Sequence, residues 1–332
     1  MNIAINGFGR IGRTVFKIAL EKGLKVVAIN DLHGPKDAAY LLKYDSVYGR
    51  YKKKVDVSGD YLIVDRKKIK VVSESDPEKL PWKNFKVDVV VESTGVFRDK
   101  DNAEKHLNAG AKYVLITAPA EKPDITIVPG VNHGKLKKEH KIISVASCTT
   151  NCLVPVIKVL NDNFGIVKSL VTTVHAYTND QAIHDSSHKK ARRGRAATVN
   201  MIPTTTGSSE AFADVMPELV DRINGLAIRV PIICGSLLDV VAELEKEFDE
   251  KKVNEAFIKA SKKELNGILA YTEEEIVSSD VIGTPYSAIV DGLSTQANGN
   301  LVKVLAWYDN EYGYSCRVVD VIKMVKKFVS WW

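Results

Sequence analysis

The sequence has few cysteines and no long apolar run, and these two features narrow the class of protein to which it can belong. Only four of the 332 residues are cysteine, at irregular spacings, so neither a disulfide framework nor a paired Cys-x-x-Cys zinc site is expected. No stretch approaches the roughly 18 consecutive apolar residues of a membrane span, and no signal-peptide pattern stands at the start. We therefore expect a cytoplasmic protein with reduced cysteines and no membrane partner.

What is present is the composition of an ordinary globular chain. Hydrophobic residues make up 45% and charged residues 27%, and there is no internal repeat, proline-rich linker or low-complexity tract. At roughly 150 residues per domain, the length predicts about two domains. The net charge of +6 needs an explanation, for which an anionic ligand, nucleic acid and a simply basic surface all stay open.

The pattern of predicted elements changes near residue 148. Before it, short β-branched runs alternate with segments of helical spacing, which predicts a parallel sheet covered by helices. After it, longer alternating strands predict a mostly antiparallel or mixed sheet with one covered face. Residues 178–202, between the first two of these strands, are polar and basic and too long for a plain connection. The expected fold class is α/β, with an α+β second domain.

A glycine-rich motif joins the first predicted strand to the first helix. Gly7-Phe8-Gly9-Arg10-Ile11-Gly12 has the G-x-G-x-x-G spacing, with one glycine for the turn, one for the approach of a pyrophosphate and one for helix packing. Asp31 follows 19 residues after Gly12, at the end of the next strand, where a carboxylate can accept hydrogen bonds from a ribose. The pattern indicates a Rossmann dinucleotide-binding domain, against the alternative of a turn that binds nothing.

Cys148 is the candidate nucleophile. It follows Ser147 and precedes an apolar stretch with helical spacing, which places it near a helix N-terminus. The helix dipole there favours the thiolate, so the pattern predicts a thiol of lowered pKa. The alternative is a small buried cysteine behind an ordinary N-cap. Pro155 is awkward for a helix interior and leaves the start of this helix uncertain by a turn.

A candidate base and two candidate anion sites lie further along the chain. His175 ends the strand 170–174, where a neutral imidazole can take a proton from a thiol. The alternative is a structural histidine at a strand end. Arg229 interrupts an apolar strand and suits a phosphate as a bidentate partner. The hydroxyl-rich run 204–209 also suits a phosphate, although an ordinary loop and helix cap would look the same.

The basic run 189–195 is the densest in the chain. It suits nucleic acid, but no aromatic residue interleaves it, so stacking on a single strand gets no support, and a solvated loop is the alternative. Nucleic acid is therefore not expected as the primary partner.

A metal site is not predicted either. His184 and His188 are four residues apart, yet no acidic or cysteine partner completes a recognisable ligand set.

Three segments resemble phosphorylating glyceraldehyde-3-phosphate dehydrogenases: residues 5–13, residues 146–151 (Ala-Ser-Cys-Thr-Thr-Asn) and residues 307–311. The similarity runs over residues 2–329, and the Ser-Cys-Thr-Thr-Asn segment is its most specific part. The resemblance implies a homotetramer and a long S-loop that matches the basic segment after the first strand of the second domain. The implied domains are an NAD-binding domain over 1–147 completed by a C-terminal helix over 313–332, and a catalytic domain over 148–312 with its S-loop at about 178–202.

The same resemblance implies the reaction and its residues. Cys148 would attack the aldehyde of glyceraldehyde 3-phosphate while His175 accepts the proton. Hydride transfer to NAD from the thiohemiacetal would then leave a thioester, which inorganic phosphate cleaves to 1,3-bisphosphoglycerate. The residues implied for the phosphates are Thr178 and Arg229 for the substrate, and Ser147, Thr149, Thr206, Gly207 and Arg193 for inorganic phosphate. Those implied for the cofactor are Gly7, Gly9, Arg10, Ile11, Gly12, Asp31, Thr117 and Asn310.

Some positions depart from the commoner family pattern. NAD is the expected cofactor, because the charge of Asp31 would repel the 2′-phosphate of NADP. Ser186-Ser187 stands where many NAD-using members carry Leu-Pro, so NADP stays open as a second cofactor. The other departures, whose effects the sequence leaves open, are Glu210, Ile232, Tyr312 and Cys316.

Two competing interpretations remain. The related erythrose-4-phosphate dehydrogenases share the scaffold but differ around the residues that bind the substrate phosphate. Residues 177–180 and 205–207 look like the glyceraldehyde-3-phosphate form, which ranks that alternative second. A secondary RNA-binding role of the basic loop is the other, and it would show salt-dependent binding that competes with NAD.

Overall fold

The computed structural model describes residues 1–206 and 208–329. These residues form two compact units. The first unit comprises residues 1–127, 133–146 and those from 315 on. The second unit comprises residues 128–132 and 147–314. Each unit has its own sheet, so the chain runs from the first unit to the second and back.

The boundaries differ from the expected ones at three places. Ser147 belongs to the second unit, and the return to the first unit comes two residues later than predicted. The larger difference is the segment 128–132, which was expected in the first domain. It belongs to the second unit because Gly130 lies against Leu265 and Ile268, whose side chains are 3.0 and 3.3 Å from the place of a Cβ.

The first unit contains eleven strands and three complete helices in its described residues. The strands are β1 (Asn2–Asn6), β2 (Lys25–Asn30), β3 (Tyr44–Asp45), β4 (Gly49–Arg50), β5 (Val55–Ser58), β6 (Tyr61–Val64), β7 (Lys67–Val72), β8 (Val89–Glu92), β9 (Tyr113–Ile116), β10 (Ile125–Thr126) and β11 (Ile142–Ser144). The helices are α1 (Arg10–Glu21), α2 (Gly34–Lys43) and α3 (Lys100–Asn108). Short 3₁₀ turns lie at Pro77–Lys79 and His133–Lys135.

Nine of these strands form one sheet in the order β10-β11-β9-β8-β1-β2-β7-β6-β5. The pairs from β10 to β7 are parallel, and β5 and β6 add an antiparallel edge. The chain leaves β1 towards β2 on one side and later continues through β8 on the other. In such a sheet a crevice opens beyond the carboxyl ends of the two strands at the point of reversal, here β1 and β8.

Helix α1 follows the predicted spacing, whereas the sequence pattern does not reveal α2. The buried face of α1 includes Val15, Ile18 and Ala19, as predicted, and the helix starts directly after Gly9. The buried side chains of α2 beyond its first glycine are Ala38, Ala39 and Leu42. Two alanines and one leucine give too weak a periodic signal for a prediction.

The second unit is built on a seven-stranded sheet in the order β13-β14-β12-β15-β18-β17-β16. The pairs β12–β14 and β16–β17 are parallel and the others antiparallel, so the prediction of a mixed sheet is confirmed. The strands are β12 (Ile166–Ala176), β13 (Ile202–Thr204), β14 (Ile223–Val230), β15 (Ser236–Leu244), β16 (Leu269–Thr272), β17 (Ala288–Asn298) and β18 (Leu301–Tyr308). The helices are α4 (Cys148–Phe164), α5 (Ser208–Val215) and α6 (Glu250–Lys262), with 3₁₀ turns at Ala191–Gly194 and Pro217–Arg222.

Helix α4 starts at Cys148 and runs through Pro155 without ending. A proline in a helix interior removes one backbone hydrogen bond and crowds the preceding turn. Residues 149–157 are all buried, so tertiary packing holds this part of the helix in spite of the proline. The start of the helix, which the sequence left uncertain by a turn, therefore falls at the candidate nucleophile.

The last helix, α7 (Tyr312–Val329), starts in the second unit and continues in the first. Val318, Val321, Ile322 and Val325 on its predicted apolar stripe are fully buried. Neither α7 nor any other helix within residues 1–206 and 208–329 is long and apolar enough to cross a bilayer.

Gly12→Ala tests the packing of α1 on the glycine turn. A Cβ on Gly12 would lie 2.1 Å from the carbonyl oxygen of Gly7, so we expect the free energy of unfolding to fall by about 1–3 kcal/mol. Urea denaturation measures it. Gly9→Ala is the matched control, because Gly9 has φ −70° and no atom of the described residues within 4 Å of its Cβ position. Equal losses in the two variants would contradict the packing argument.

Candidate active site

The glycine turn of the first unit leaves room for a ligand beside Gly9. Gly7 has φ +87°, and a Cβ on it would lie 2.8 Å from the backbone nitrogen of Thr94. The equivalent position on Gly12 is filled by the turn itself. No atom of the described residues lies within 4 Å of a Cβ built on Gly9. A phosphate group can therefore approach the backbone at Gly9, next to the N-terminus of α1.

The Asp31 carboxylate is oriented at the end of β2. Its Oδ2 accepts a hydrogen bond from the N–H of Phe8 at 3.2 Å, and its Oδ1 accepts one from the N–H of His33 at 3.0 Å. The side chain is 20% exposed, so its remaining lone pairs can accept hydrogen bonds from ribose hydroxyls.

The side chains of Arg10 and Thr117 bind other groups of the protein. The Arg10 guanidinium pairs with Asp45 at 2.8 Å and lies over the ring of Tyr48. The Thr117 hydroxyl donates to the carbonyl oxygen of residue 92 at 3.1 Å. We therefore expect any contribution of Arg10 and Ile11 to a cofactor to come from the backbone at the N-terminus of α1, where the helix dipole favours an anion.

The second unit brings Cys148 and His175 together. Cys148 is the first residue of α4, and His175 is the penultimate residue of β12. Cys148 Sγ lies 3.4 Å from His175 Nε2, which is a hydrogen-bond distance for sulfur. Cys148 is partly exposed and His175 is buried. A ligand can thus reach the thiol while the imidazole stays shielded behind it.

The contacts of His175 Nδ1 determine which ring nitrogen of His175 carries the proton. Nδ1 lies 2.6 Å from the carbonyl oxygen of Ala176, which can only accept, so Nδ1 carries the hydrogen. Arg229 Nη1 lies 2.9 Å from Nδ1, but its hydrogens have acceptors at the Ala176 carbonyl (3.0 Å) and the Thr178 hydroxyl (3.2 Å). Under this assignment from the hydrogen-bond network, Nε2 keeps a lone pair that faces Cys148.

Burial decides the resting charge of the Cys148–His175 pair. Burial first, and then the charge of Arg229, lower the pKa of His175 to about 3. Burial raises the pKa of the Cys148 thiol, and Arg229 and the hydrogen bonds of Thr149 only partly offset it. The predicted lowering of the thiol pKa is therefore wrong for the resting site, because desolvation of the thiolate outweighs the helix N-terminus. Thiol and imidazole are both neutral at rest.

Strand pairing places Arg229 beside His175. β12 and β14 run parallel with His175 opposite Arg229, so the two side chains lie on the same face of the sheet. The Nε of Arg229 is buried and has no hydrogen-bond partner in residues 1–206 and 208–329. A buried donor without an acceptor is costly, so this N–H of the guanidinium beside His175 is suited to an anionic ligand.

Charged groups continue from Arg229 along the loop after β12. The hydroxyl of Thr178 accepts from Arg229 and donates to the Asp180 carboxylate. Asp180 also pairs with Arg193, whose Nε donates to the hydroxyl of Thr204 at 3.0 Å. Burial opposes ionisation of Asp180, but the hydrogen bonds and charge of Thr178 and Arg193 outweigh it and lower its pKa. Two of the predicted phosphate ligands, Thr178 and Arg193, thus bind the Asp180 carboxylate, and Arg229 is joined to it through Thr178.

Two other residues predicted for inorganic phosphate, Ser147 and Thr149, have partners within the protein. Ser147 is the N-cap of α4, and its Oγ accepts from the N–H three residues on at 3.0 Å. The Thr149 hydroxyl lies 3.0 Å from that of Tyr308. Thr149 and Thr206 line one small cavity of the second unit. Gly207 lies outside the described residues.

The side-chain amide of Asn310 is fixed through its oxygen. Its Oδ1 accepts from the N–H of Gly235 at 3.1 Å and from the hydroxyl of Ser236 at 3.0 Å. The oxygen is used, so Nδ2 is left to donate. An amide N–H of this kind can donate to the carbonyl oxygen of a carboxamide.

The basic loop after β12 is folded on itself. The N–H of Ser186 donates to the carbonyl oxygen of Gly194 at 2.8 Å. Arg195 pairs with Asp185 at 3.0 Å, and Arg193 is paired as described above. These pairs reduce the positive charge that the loop offers to a polyanion. No group of three or more potential metal-ligating side chains occurs in the loop or in the other described residues.

Sequence reasoning missed two residues of the site. Asp180 joins Thr178 to Arg193, and a carboxylate two residues after a strand-end threonine is the signal that could have indicated it. The Tyr308 hydroxyl lies 2.7 Å from the hydroxyl of Thr173, in addition to its contact with Thr149. Tyr308 and Thr149 are 159 residues apart, so no local pattern reveals their contact.

Comparison with known proteins identifies the family. The sequence model described as "Glyceraldehyde 3-phosphate dehydrogenase, NAD binding domain" matches residues 1–100, and the one described as "Glyceraldehyde 3-phosphate dehydrogenase, C-terminal domain" matches residues 147–310. The chain belongs to the glyceraldehyde-3-phosphate dehydrogenase family. The predicted resemblance and fold class are thereby confirmed, and the NAD-binding domain supports NAD as the cofactor.

Several relatives are similar over nearly their whole length. The glyceraldehyde-3-phosphate dehydrogenase of Geobacillus stearothermophilus is 55% identical over 324 residues, covering 97% of each chain. That of Thermotoga maritima is 54% identical over 329 residues, covering 98% of this chain and 99% of its own. Glyceraldehyde-3-phosphate dehydrogenase 2 of Streptomyces avermitilis is 52% identical over 329 residues, covering 98% of each.

The lowered pKa of His175 predicts a specific loss of stability in acid. The imidazole titrates near 6.5 in the unfolded chain and near 3 in the folded one, so its contribution is complete above pH 6.5 and falls as the pH drops towards 3. As the pH falls from 7.5 to 5.0, the unaltered chain should lose about 2 kcal/mol more of its unfolding free energy than His175→Asn does, because only the unaltered chain has this buried imidazole. Urea midpoints at the two pH values measure it.

The control for this experiment is His184→Asn, which removes an exposed imidazole from the basic loop. We expect it to follow the unaltered chain. If His175→Asn and the unaltered chain lose the same free energy over this pH range, His175 is not held neutral by burial.

Proposed function

We propose that the chain oxidises glyceraldehyde 3-phosphate with NAD and inorganic phosphate, forming 1,3-bisphosphoglycerate and NADH. The observation that carries this proposal is the contact of Cys148 Sγ with His175 Nε2, with Arg229 beside it. A thiol, a base and an anion site in one place suit covalent catalysis on a phosphorylated aldehyde. The names of relatives more than 50% identical over almost the whole chain support the same substrate.

The first step is the attack of Cys148 on the aldehyde carbon. The sulfur forms a bond to carbon, and its proton passes to the lone pair of His175 Nε2. The Nε2–H then donates to the oxygen of the resulting thiohemiacetal, where negative charge develops. Because both groups are neutral at rest, the charges appear only as the bond forms.

Binding of the substrate phosphate prepares His175 as a base. Burial and then the charge of Arg229 lower the pKa of His175, and a phosphate on Arg229 and Thr178 would offset the second of these causes. The free Nε–H of Arg229 supplies a donor for this anion. Substrate binding and proton acceptance are thus coupled through one guanidinium.

The described residues of the first unit fit NAD. Gly9 is open to a pyrophosphate, the N-terminus of α1 favours an anion, and the Asp31 carboxylate is oriented for a ribose. When bound, NAD would supply the hydride acceptor that oxidation of the thiohemiacetal on Cys148 to a thioester requires. In the second unit, Asn310 would hold the carboxamide. Thr149, Thr206 and Arg193 would then bind the inorganic phosphate that cleaves the thioester, once Arg193 exchanges its carboxylate partner for it.

A homotetramer in the cytoplasm is part of this proposal. Large apolar side chains of the S-loop are exposed, with Ile183 at 70%, Val199 at 74% and Met201 at 75%. Such a concentration of exposed apolar surface favours burial against another copy of the chain. The four cysteines are all free, as is usual in a reducing compartment.

The competing functions are less well supported. The relatives reported above carry the name glyceraldehyde-3-phosphate dehydrogenase, which does not favour erythrose 4-phosphate as the substrate. RNA binding by the basic loop has no specific support, because Arg193 and Arg195 are already paired with carboxylates of the same loop.

Cys148→Ser tests the reaction as a whole. NADH formation from glyceraldehyde 3-phosphate should require inorganic phosphate in the unaltered chain, and Cys148→Ser should lower kcat at least about 1,000-fold, because a hydroxyl next to a neutral imidazole is a poorer nucleophile. Absorbance at the NADH band follows turnover. Unchanged NAD binding in the variant shows that the fold is intact. Turnover without phosphate would exclude the phosphorylating reaction.

Asp31→Ala tests the cofactor preference. Removing the carboxylate that would face a 2′-phosphate should raise the ratio of kcat/KM for NADP to that for NAD by about tenfold or more. Asp37→Ala, which removes an exposed carboxylate of α2, is the control for net charge and should leave the ratio unchanged. An unchanged ratio in Asp31→Ala would show that this carboxylate does not select the cofactor.

A further inference from the structure

A network of buried polar side chains lies beneath the glycine turn, and no step of the proposed reaction uses it. Its members are all at most 6% exposed: Asn6, Asn30, Trp82, Glu92 and His106. They come from β1, β2, the loop before β8, the end of β8 and α3. Burying a carboxylate is costly unless every oxygen is satisfied, so the network needs a reason to exist.

Trp82 fixes the tautomer of His106. The indole Nε1–H can only donate, and it lies 3.0 Å from His106 Nδ1. Nδ1 therefore carries no proton, and the neutral ring has its hydrogen on Nε2. Nε2 lies 3.0 Å from Glu92 Oε2, so His106 donates to the carboxylate.

Donors meet both oxygens of the Glu92 carboxylate. Oε2 accepts from His106 and from Asn6 Nδ2 at 2.5 Å. Oε1 accepts from the N–H of Thr94 at 2.8 Å and from the Thr94 hydroxyl. Four donors match the four lone-pair positions of an ionised carboxylate. The side chain is only 1% exposed, so no solvent takes part.

The Glu92 carboxylate links the two walls of the crevice at the reversal of the sheet. Asn6 and Glu92 are paired as the last residues of β1 and β8, and Asn30 Nδ2 donates to Asn6 Oδ1 at 2.7 Å from the end of β2. Thr94, which Glu92 holds through its N–H, is the residue against which Gly7 packs. The hydroxyl of Ser93 lies 3.0 and 2.7 Å from the carbonyl oxygens of Asn6 and Gly7, and the Glu92 carboxylate fixes Thr94 directly after it. The carboxylate and Ser93 together therefore hold the glycine turn against the segment after β8.

We propose that Glu92, oriented by His106 and Trp82, is a positioning residue for NAD. It does not touch the dinucleotide; it holds the Gly7–Gly9 turn and Thr94 in the arrangement that receives it. A turn held in place before binding loses less conformational entropy when the ligand binds, which increases affinity. This inference rests on the proposed NAD-dependent function.

Glu92→Gln is the test variant. Glutamine has the same shape, but its NH₂ group must face donors on one side, either Asn6 with His106 or Thr94. We expect the Kd for NAD, measured by calorimetry, to rise about tenfold. The rate at which iodoacetamide alkylates Cys148 without NAD should not change, because the Cys148–His175 pair belongs to the second unit.

Two further variants separate positioning from folding. His106→Leu removes the donor to Glu92 and should also raise the Kd about tenfold, whereas His106→Gln restores an N–H and should keep it within about threefold of the unaltered value. Asp124→Asn is the control for lost stability. The Asp124 carboxylate accepts from the N–H groups of Lys141 and Ile142, at the amino end of β11, and its loss should lower Tm without changing the Kd.

The outcomes are distinct. If Glu92→Gln lowers Tm but binds NAD as the unaltered chain does, the network is structural only and the proposal is wrong. If Glu92→Gln does not fold, equal Kd values for His106→Leu and His106→Gln would overturn it instead. If the unaltered chain binds no NAD, the proposed function fails, and this inference fails with it.

Discussion

The register of β12 against β14 is the constraint on which the site depends. Because His175 lies opposite Arg229, one guanidinium reaches the Ala176 carbonyl and the Thr178 hydroxyl beside the imidazole. That contact leaves His175 Nε2 free to face the thiol, and after burial the charge of Arg229 is the next cause of the lowered pKa of His175. A slip of one residue would turn Arg229 to the other face of the sheet and remove both effects.

The electrostatics of the site follow from burial rather than from the helix dipole. A helix N-terminus stabilises a thiolate, but removing Cys148 from water costs more, so its pKa is raised. The same burial keeps His175 from accepting a proton at rest. The thiol is then neutral at rest, and in the proposed reaction an anion on Arg229 would make protonation of His175 less costly.

The sequence predicts the parts of the molecule whose chemistry is local. The glycine spacing with Asp31 lies within one strand–helix–strand unit, and Cys148 lies directly before an apolar helix, so each of these features can be recognised from nearby residues. The missed contacts join distant positions: Thr149 meets Tyr308, and Trp82 meets Glu92 through His106. The prediction of a lowered thiol pKa is wrong for the same reason, since desolvation depends on how distant parts of the chain pack around Cys148 and not on the local sequence.

Each unit holds its site with a carboxylate that the sequence motifs do not include, but the two differ in exposure. Asp180 is 45% exposed, so a phosphate can compete with it for Arg193 at little desolvation cost. Glu92 is 1% exposed and bonded to four donors, so no ligand can displace it. The first arrangement suits an anion that must enter and leave in every turnover. The second suits a backbone turn that has to keep one shape for the cofactor.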